Sequence, residues 1–412
     1  MKTKKKPVAD APPNPEPGPL LVPGFSAAGI HGGIKSGRRR DLALIVSDPP
    51  ARVAGLFTQN RIKAAPVLIS QTRSRFGLCR AVLINSGNAN ACTGDPGLKD
   101  AIGLCRQTAK GLAVDEHSVL TASTGVIGER LPADRIRKAL PRLLERVRPG
   151  GILEAAEAIR TTDRFRKALW ARTRIGGEPV SLCGIAKGAG MIRPRMATML
   201  AFLLTDLKAP TDALRRLLRE GAERSFNRIC VDGDMSTNDT VLLLANGRAG
   251  NRSAKVGSPA YEAFARVLFP MMRELATMIV RDGEGATKVV EIRIRGARSG
   301  EDAERFAYRI ATSPLVKTSF YGRDPNWGRL MAALGSAGPW VHPQKIDIFY
   351  DRVCLVRKGV NQGPERARQA RQVLRKEAFA LTIDLHVGTG SARVLASDLT
   401  HDYITLNASY PT

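Results

Sequence analysis

The chain has 412 residues, and its 64 Lys and Arg residues outnumber 38 Asp and Glu residues, which gives a formal net charge of +26. Apolar residues make up 43% and charged residues 25%, a globular composition in a chain long enough to bury a core without disulfide or metal staples. We expect no membrane-spanning helix and no secretory signal, and six cysteines without a C-x-x-C pair argue against a zinc ribbon and fit a reducing cytoplasm.

The predicted elements alternate between strands and helices, which indicates an α/β (α+β) fold. Residues 1–21 are rich in Lys, Pro and Ala without periodicity, so we expect a disordered tail there. Strands are predicted at residues 41–47, 80–84, 180–185, 198–204, 240–244, 289–294, 345–350 and 380–386. Helices are predicted at residues 98–112, 133–147, 212–226, 261–280, 302–313 and 327–334. The polar, Gly-rich residues 281–288 predict a boundary between a domain of residues 22–280 and a smaller α/β domain of residues 281–412.

The excess of basic residues has two interpretations. It is typical of proteins that bind nucleic acid. However, the basic residues are spread along the chain, there is no RNP pattern and no Cys/His finger, and only 5% of the residues are aromatic. The pattern therefore favours solvated helix faces, with nucleic-acid binding kept as the alternative.

One segment, KGAGMIRPRMATML at residues 187–200, combines Gly-rich turns with an apolar run. Spacing alone favours an ordinary loop that enters a strand. The alternative is an N-terminal nucleophile: if the bond between Ala197 and Thr198 were cut, the free α-amine of Thr198 would serve as general base for its own hydroxyl. Acyl transfer also requires oxyanion donors, for which the Ser123–Thr124–Gly125 turn is a candidate, although it also fits an ordinary turn.

A series of longer motifs extends from residue 23 to residue 412. They are GFSAAGIHGGIKSGRRRD at 24–41, NSGNANACTG at 85–94, STGVIG at 123–128, the segment 185–204, SFNRICVDGDMSTNDTVLLLANG at 225–247, RDGEGATK at 281–288, residues 313–335 with DPNWGR, and DLTHDYITLNASYPT at 398–412. Their content and order resemble the ornithine acetyltransferase family, the self-processing glutamate N-acetyltransferases of arginine biosynthesis.

The resemblance implies a role for specific positions. Thr198 is similar to the family nucleophile, the bond between Ala197 and Thr198 to the self-cleaved bond, and Thr124 with Gly125 to the oxyanion hole. The resemblance further implies substrate contacts at Thr161, Lys187, Thr198, Glu284, Asn407 and Thr412. Because Thr161 and Thr162 are adjacent, the first of these contacts can belong to either residue.

The implied fold is a layered sandwich of sheets and helices of the self-processing acetyltransferase and aminopeptidase type, with the nucleophile in the first domain. Cleavage would give an α chain of residues 1–197 and a β chain of residues 198–412, assembled as α2β2. The implied reaction is ping-pong transfer of acetyl from N-acetylornithine to glutamate, without a metal or organic cofactor, in the cytoplasm. Whether acetyl-CoA also serves as donor stays open.

Two further interpretations stay open beside this one. A self-processing aminopeptidase or amidohydrolase would keep the nucleophile and pass the acyl group to water, and a relative recruited to another pathway would use a different acceptor. Arg193 and Arg195 replace the His and Asn that the family commonly has before M-A-T-M, so their effect on self-processing is also open.

Overall fold

The structure is a computed structural model that describes residues 18–193, 199–338 and 340–409. Two mixed β-sheets are flanked by helices. Sheet 1 contains β1 (Phe25–Ile30), β2 (Leu42–Phe57), β3 (Leu78–Asn88), β4 (Val119–Val126), β5 (Lys167–Ile175), β6 (Glu178–Lys187), β7 (Leu200–Thr205) and β9 (Thr240–Ala245). Sheet 2 contains β8 (Ile229–Cys230), β10 (Val289–Ala297), β11 (Asp347–Tyr350), β12 (Val353–Arg357), β13 (Val360–Asn361), β14 (Ala378–Asp384) and β15 (Gly390–Ser397).

The helices cover the sheets and connect their strands. In the described residues they are α1 (Ala65–Arg73), α2 (Gly94–Leu112), α3 (Ala133–Glu145), α4 (Ile152–Ala158), α5 (Thr211–Glu223), α6 (Pro259–Arg281), α7 (Gly300–Ala311), α8 (Pro314–Tyr321), α9 (Trp327–Gly335), α10 (Pro364–Val373) and α11 (His401–Ser409). None of these helices is long and apolar enough to cross a membrane.

The strand order of sheet 1 places β7 between β6 and β9. All six residues of β7 are buried, because alternate side chains enter different cores on the two faces of the sheet. Phe202 packs with the core that α4 covers, whereas Leu203 packs with the core that α5 and α6 cover. Burial on both faces explains why the sequence LAFLLT is apolar without alternation.

The predicted mixed α/β arrangement of sheets and helices is confirmed. The predicted boundary at residues 281–288 stays a prediction, and β8, which precedes it in the chain, pairs in parallel with β15 of sheet 2. Residues 18–21 differ from the expected disordered tail: Leu20 is 1% exposed, and the carbonyl of Leu21 accepts a hydrogen bond from Trp170 Nε1 at 3.2 Å.

Two local predictions were wrong at functionally important places. Ser123, Thr124 and Gly125 lie inside β4 rather than in a turn after a strand. The glycines of residues 184–195 predict a loop over that whole segment, but β6 extends to Lys187 and the loop begins at Gly188. At Gly125 the glycine allows the close approach of β3, whereas at Gly184 it leaves room for the side chains of Leu275 and Met271 on α6.

Candidate active site

The site forms where the end of β6, which pairs with β7, contacts the end of β4 through a side chain. Lys187, the last residue of β6, pairs with Leu200 at the start of β7. Its side chain is buried, with the residue 3% exposed, and Nζ donates a hydrogen bond to Thr124 Oγ1 at 3.2 Å. Two predicted site residues that are 63 positions apart are therefore in direct contact.

An irregularity in the ladder between β3 and β4 shapes the backbone at Thr124. Ser86, Gly87 and Asn88 face Thr124, Gly125 and Val126 with a shifted register. Gly125 has a φ of 135°, and a Cβ atom at this position would lie 2.3 Å from the carbonyl carbon of Gly87. Only glycine fits, since the backbone is in the left-handed region and the neighbouring chain is too close for a side chain.

A buried ionic cluster lies behind Lys187. Asp163 Oδ1 accepts hydrogen bonds from Lys167 Nζ at 2.7 Å and from the backbone N–H of Gly188 at 2.8 Å. Lys167 also donates to Asp282 Oδ2 at 2.5 Å, and all three side chains of this cluster are fully buried. The cluster joins the turn before β5, the end of β6 and the segment after α6.

The charges of this cluster decide the protonation of its members. Burial opposes ionisation of Asp163, but the positive charges of Lys167 and Lys187 outweigh it and hold the pKa of this carboxyl well below its usual range. Burial lowers the pKa of Lys187, and the negative charge of Asp163 partly offsets this effect. Lys187 is thus a desolvated amine on which Asp163 has the largest favourable charge effect, with smaller ones from Glu284 and Asp239.

Glu284 lies between three parts of the chain. Its Oε1 accepts a hydrogen bond from Thr162 Oγ1 at 2.7 Å, and its Oε2 accepts one from Asn407 Nδ2 at 2.9 Å. The backbone N–H of Glu284 donates to the carbonyl of Ala189, and a Cβ atom on Gly190 would lie 2.5 Å from Glu284 Oε2. The loop after Lys187 therefore leaves space for this carboxylate only because residue 190 is glycine.

Asp239 holds the chain at the start of β7. Its Oδ1 accepts a hydrogen bond from the backbone N–H of Met199 at 3.0 Å. Its Oδ2 is buried and has no hydrogen-bond partner among the described residues. Burial raises the pKa of Asp239 well above its usual value, although the hydrogen bond from Met199 and the charge of Lys187 act in the opposite direction.

The loop from Gly188 to Arg193 is held by a second aspartate. Asp232 accepts hydrogen bonds from the backbone N–H groups of Met191 at 2.6 Å and of Ile192 at 2.9 Å. Burial raises the pKa of Asp232 to about 6. Met191 has a φ of 54°, so these bonds fix a left-handed residue shortly before the proposed cleavage point.

A second lysine lies near Lys187. Lys35 donates to the carbonyls of Arg160 and Arg40. Burial lowers its pKa to about 8, and the charges of Arg39 and Lys187 act in the same direction. A Cβ atom on Gly87 would approach Lys35 Cγ to 2.8 Å, so this lysine lies against the irregular β3–β4 pair.

The structure brings most of the predicted site residues into one connected region. Thr124 contacts Lys187, the loop after Lys187 contacts Glu284, and Glu284 contacts Asn407. Of the two adjacent threonines, Thr162 provides the hydroxyl on Glu284, whereas Thr161 donates its backbone N–H to Asp163 Oδ2 at 2.9 Å. Ala197, Thr198 and Thr412 lie outside the described residues.

Sequence reasoning missed the residues that support this region: Asp163, Lys167, Asp282 and Asp239. Three of them lie within motifs that carry the family resemblance or next to a predicted site residue, namely T-T-D, S-T-N-D-T and R-D-G-E-G. An acidic residue at such a position indicates a role near the site. Its partner cannot be derived from the sequence, because Asp163 and Asp282 are more than a hundred residues apart.

Comparison with known proteins identifies relatives over almost the whole chain. Residues 26–412 match the model of the ArgJ family. A protein named arginine biosynthesis bifunctional protein ArgJ from Geobacter sulfurreducens is 49% identical over 394 residues, covering 95% of this chain and 100% of the relative. The protein of the same name from Syntrophotalea carbinolica is 46% identical, covering 95% of this chain and 100% of the relative.

Two solved structures are also similar. The bifunctional protein ArgJ of Bacillus halodurans is 42% identical, covers 43% of this chain and 92% of its own, and has a TM-score of 0.40. The ornithine acetyltransferase of Mycobacterium tuberculosis, solved in complex with ornithine, is 36% identical, covers 45% of this chain and 96% of its own, and has a TM-score of 0.40.

The layered α/β fold, the connected polar site and the near full-length relatives define an enzyme of the acyltransferase class. Its buried lysine and glycine-dependent strand contact fall within the stretches that carried the resemblance. The chain belongs to the ArgJ family of arginine biosynthesis.

Proposed function

We propose that this enzyme transfers the acetyl group of N-acetylornithine to glutamate, with Thr198 as nucleophile after self-cleavage between Ala197 and Thr198. The observation that carries the proposal is the contact between Lys187 Nζ and Thr124 Oγ1 beside the first residues of β7. It places an amine and a hydroxyl next to the strand that follows the proposed nucleophile. The names of the relatives support an activity in arginine biosynthesis.

The reaction proceeds in two acyl transfers. The hydroxyl oxygen of Thr198 attacks the acetyl carbonyl, its proton passes to the α-amine of the same residue, and the protonated nitrogen of ornithine leaves. Glutamate then attacks the acetyl-enzyme through its amine and leaves as N-acetylglutamate. The Thr124 hydroxyl and the backbone N–H of Gly125 donate to the oxyanion in both steps. This scheme needs no metal or organic cofactor.

Substrate recognition follows from the charges around the site. Lys187 binds the substrate carboxylate, and Glu284 binds the cationic side chain of the ornithine moiety. Thr162 and Asn407 donate to opposite oxygens of Glu284 and so hold its carboxylate in one orientation. Thr161 and Thr412 belong to the proposed binding set by family resemblance. The M. tuberculosis relative bound to ornithine supports this substrate class.

The bifunctional name of the relatives supports a second donor, acetyl-CoA, which would acetylate Thr198 in place of N-acetylornithine. We further propose that the cleaved chains assemble as α2β2 in the cytoplasm. Six cysteines without a disulfide are consistent with a reducing compartment.

Intact mass and N-terminal sequencing of the purified protein test the nucleophile. We expect two chains, one beginning at Thr198, and a single uncut chain without acetyl transfer in Thr198→Ala. Thr318→Ala is the matched control, since Thr318 is exposed on α8 and should leave cleavage and activity unchanged. A wild-type chain that remains whole, or an active Thr198→Ala variant, would contradict the proposal.

Acetyl transfer is then measured with each donor separately. N-acetylornithine with glutamate should give stoichiometric ornithine and N-acetylglutamate, with parallel double-reciprocal lines typical of ping-pong kinetics. Acetyl-CoA should support the same product only if it acylates Thr198. Rapid release of acetate in the absence of glutamate would indicate a hydrolase instead.

A further inference from the structure

A cleft of about 740 Å³ lies between one face of sheet 2 and helix α6, near the end of α5. None of its lining residues belongs to the candidate active site. Six arginines line it: Arg224, Arg228, Arg273, Arg293, Arg295 and Arg393. The acidic residues in the lining are Glu223 and Glu291, so the cleft carries four more positive than negative charges, six minus two.

The strand register forces two of these arginines together. Arg293 on β10 lies directly opposite Arg393 on the antiparallel strand β15. Like charges in opposite positions destabilise a sheet. Glu291, two residues before Arg293 on the same face, offsets part of this cost: Arg293 donates a hydrogen bond to it, and Arg393 Nη1 lies 3.1 Å from its Oε1.

Glu291 is nevertheless shared among three guanidinium groups. Arg273 Nη2 on α6 lies 3.7 Å from the same Oε1. Burial opposes ionisation of Glu291, but the hydrogen bond from Arg293 and the charges of Arg393 and Arg273 lower its pKa overall. One carboxylate at this position leaves a surplus of positive charge on the sheet face.

The other three arginines are not neutralised within the cleft. Arg224 lies over the ring of Phe269 at 5.0 Å, and neither Arg224 nor Arg295 forms an ion pair within the part of the chain that the structure describes. Arg228 pairs with Glu304, outside the cleft lining, and its Nη1 is buried without a hydrogen-bond partner among the described residues. A buried guanidinium N–H without an acceptor is costly, and Arg228 is one of the residues that line the cleft.

We propose that this cleft binds a small anion that carries at least two linked phosphate groups. Guanidinium groups bind phosphate oxygens through paired hydrogen bonds, and several phosphates are needed to balance the surplus of four charges. The volume suits one small ligand rather than a polymer. Among the described residues that line the cleft, Phe269 is the only aromatic one, and Arg224 already covers its ring, so these residues offer no platform on which nucleic-acid bases could stack.

Isothermal titration calorimetry of the whole wild-type protein tests the proposal with pyrophosphate, ATP and orthophosphate. We expect saturable binding of pyrophosphate and ATP and much weaker binding of orthophosphate. Arg295→Glu should weaken pyrophosphate binding about tenfold or more, as expected for loss of a charge-assisted contact. Arg366→Glu is the control, because Arg366 is exposed on α10 and the change in net charge is the same.

Several outcomes would overturn the proposal. The first is that the folded protein binds none of the three anions, and the second is that it binds orthophosphate and pyrophosphate with equal affinity. The third is that both variants lose the same affinity for pyrophosphate, which would mean that net charge alone causes the binding. A single-stranded oligonucleotide that displaces pyrophosphate at lower concentration would assign the surface to nucleic acid. A change in assembly size in Arg295→Glu, measured by sedimentation, without any phosphate binding would assign it to a subunit contact. Because binding is measured without acetyl transfer, the result is independent of the proposed reaction.

Discussion

Lys187 Nζ lies 3.2 Å from Thr124 Oγ1, which links the end of β6 to the irregular stretch of β4. Both side chains are buried. A buried ammonium beside a hydroxyl polarises that O–H group and holds it in one direction, as an oxyanion donor requires. The pair thus couples the proposed carboxylate-binding lysine to the proposed oxyanion hole.

Replacing Lys187 by methionine removes the ammonium while keeping the length of the side chain. We expect KM for N-acetylornithine to rise roughly tenfold to a hundredfold, since a charge-assisted hydrogen bond contributes about 1.5–3 kcal/mol. Steady-state kinetics measure this, with Lys317→Met as control. Lys317 is also a buried lysine but donates to Ser397. Equal KM values in both variants would remove Lys187 from the binding site.

Lys187→Met should also change how stability and substrate binding depend on pH. Because burial lowers the pKa of Lys187, the folded protein loses this proton at a lower pH than the unfolded chain does, and wild-type stability from this group rises with pH between the two values. Substrate binding should weaken over the same range, below the ordinary lysine pKa of 10.5. Both dependences should be absent in Lys187→Met. Urea unfolding and KM, each measured from pH 7 upward, test this.

Asp163→Asn should destabilise the protein strongly. The change leaves Lys167 and Lys187 buried with less compensation, which typically costs about 3–5 kcal/mol. The pKa of Asp163 is lower in the folded protein than in the unfolded chain. This difference stabilises wild type at any pH above the pKa of the unfolded chain, and the stabilisation is lost as the pH falls towards the pKa of the folded protein. The difference between the two proteins should therefore shrink below about pH 4.

Urea unfolding at neutral and acidic pH measures this difference. Asp134→Asn is the matched control, because its ion pair with Arg137 is largely exposed and should contribute less than about 1 kcal/mol. Similar stability of both variants at pH 7 would show that the buried cluster is not needed for folding.

Asp239→Asn should preserve the fold and increase stability above acidic pH. Asparagine keeps the oxygen that accepts the Met199 N–H and resembles the neutral carboxyl. Because the pKa of Asp239 is raised in the folded protein, this carboxyl ionises at a lower pH in the unfolded chain than in the folded one. Wild type therefore loses stability as the pH rises above about 4, by about 1.4 kcal/mol for each unit of pKa difference. Thermal unfolding between pH 4 and 8 measures the gain. Asp239→Ala, which lacks the acceptor, should instead be destabilised by about 1–3 kcal/mol.

Gly125→Ala should cost more stability than Gly128→Ala. Both residues have positive φ, 135° and 87°, so both substitutions carry backbone strain of about 1–2 kcal/mol. At Gly125 the new methyl group would also meet the backbone of Gly87 at 2.3 Å, whereas nothing lies within 4 Å at Gly128. Urea unfolding compares the two. Equal losses would mean that the approach of β3 to β4 relaxes at no cost.

The sequence predicts the site better where residues are consecutive than where strands meet. Thr124, Gly125 and Lys187 could be proposed as site residues because they lie in recognisable motifs. The Ser-Thr-Gly stretch was misplaced in a turn, since glycine signals both turns and close strand approach, and only the register with Gly87 distinguishes them. Five of the eight described strands of sheet 1 coincide with predicted strands, because each contains an apolar run that is buried in the sheet; β1, β4 and β5 were missed.

The supporting acids depend on long-range topology instead. Asp239 reaches Met199 because β7 and β9 pair in parallel, with Leu200 opposite Thr240. Asp163 and Asp282 both accept a hydrogen bond from Lys167, and Arg164 also donates to Asp282. Hydrophobic periodicity predicts strands but not which strands are neighbours, so these contacts could not be derived from the pattern.

The position of β7 also bears on what a cut before Thr198 would do to the molecule. β7 pairs over six positions with β6, which precedes the cut, and β9 pairs over six positions with β2. Both fragments would thus supply interior strands of sheet 1. Separating the two fragments would expose unpaired strand edges and the cores on both faces of that sheet. The fragments would remain a single cooperative unit held by non-covalent contacts. Neither half made alone should fold, and once denatured, the cut enzyme would have to reassemble from two chains, with a yield that depends on their concentration.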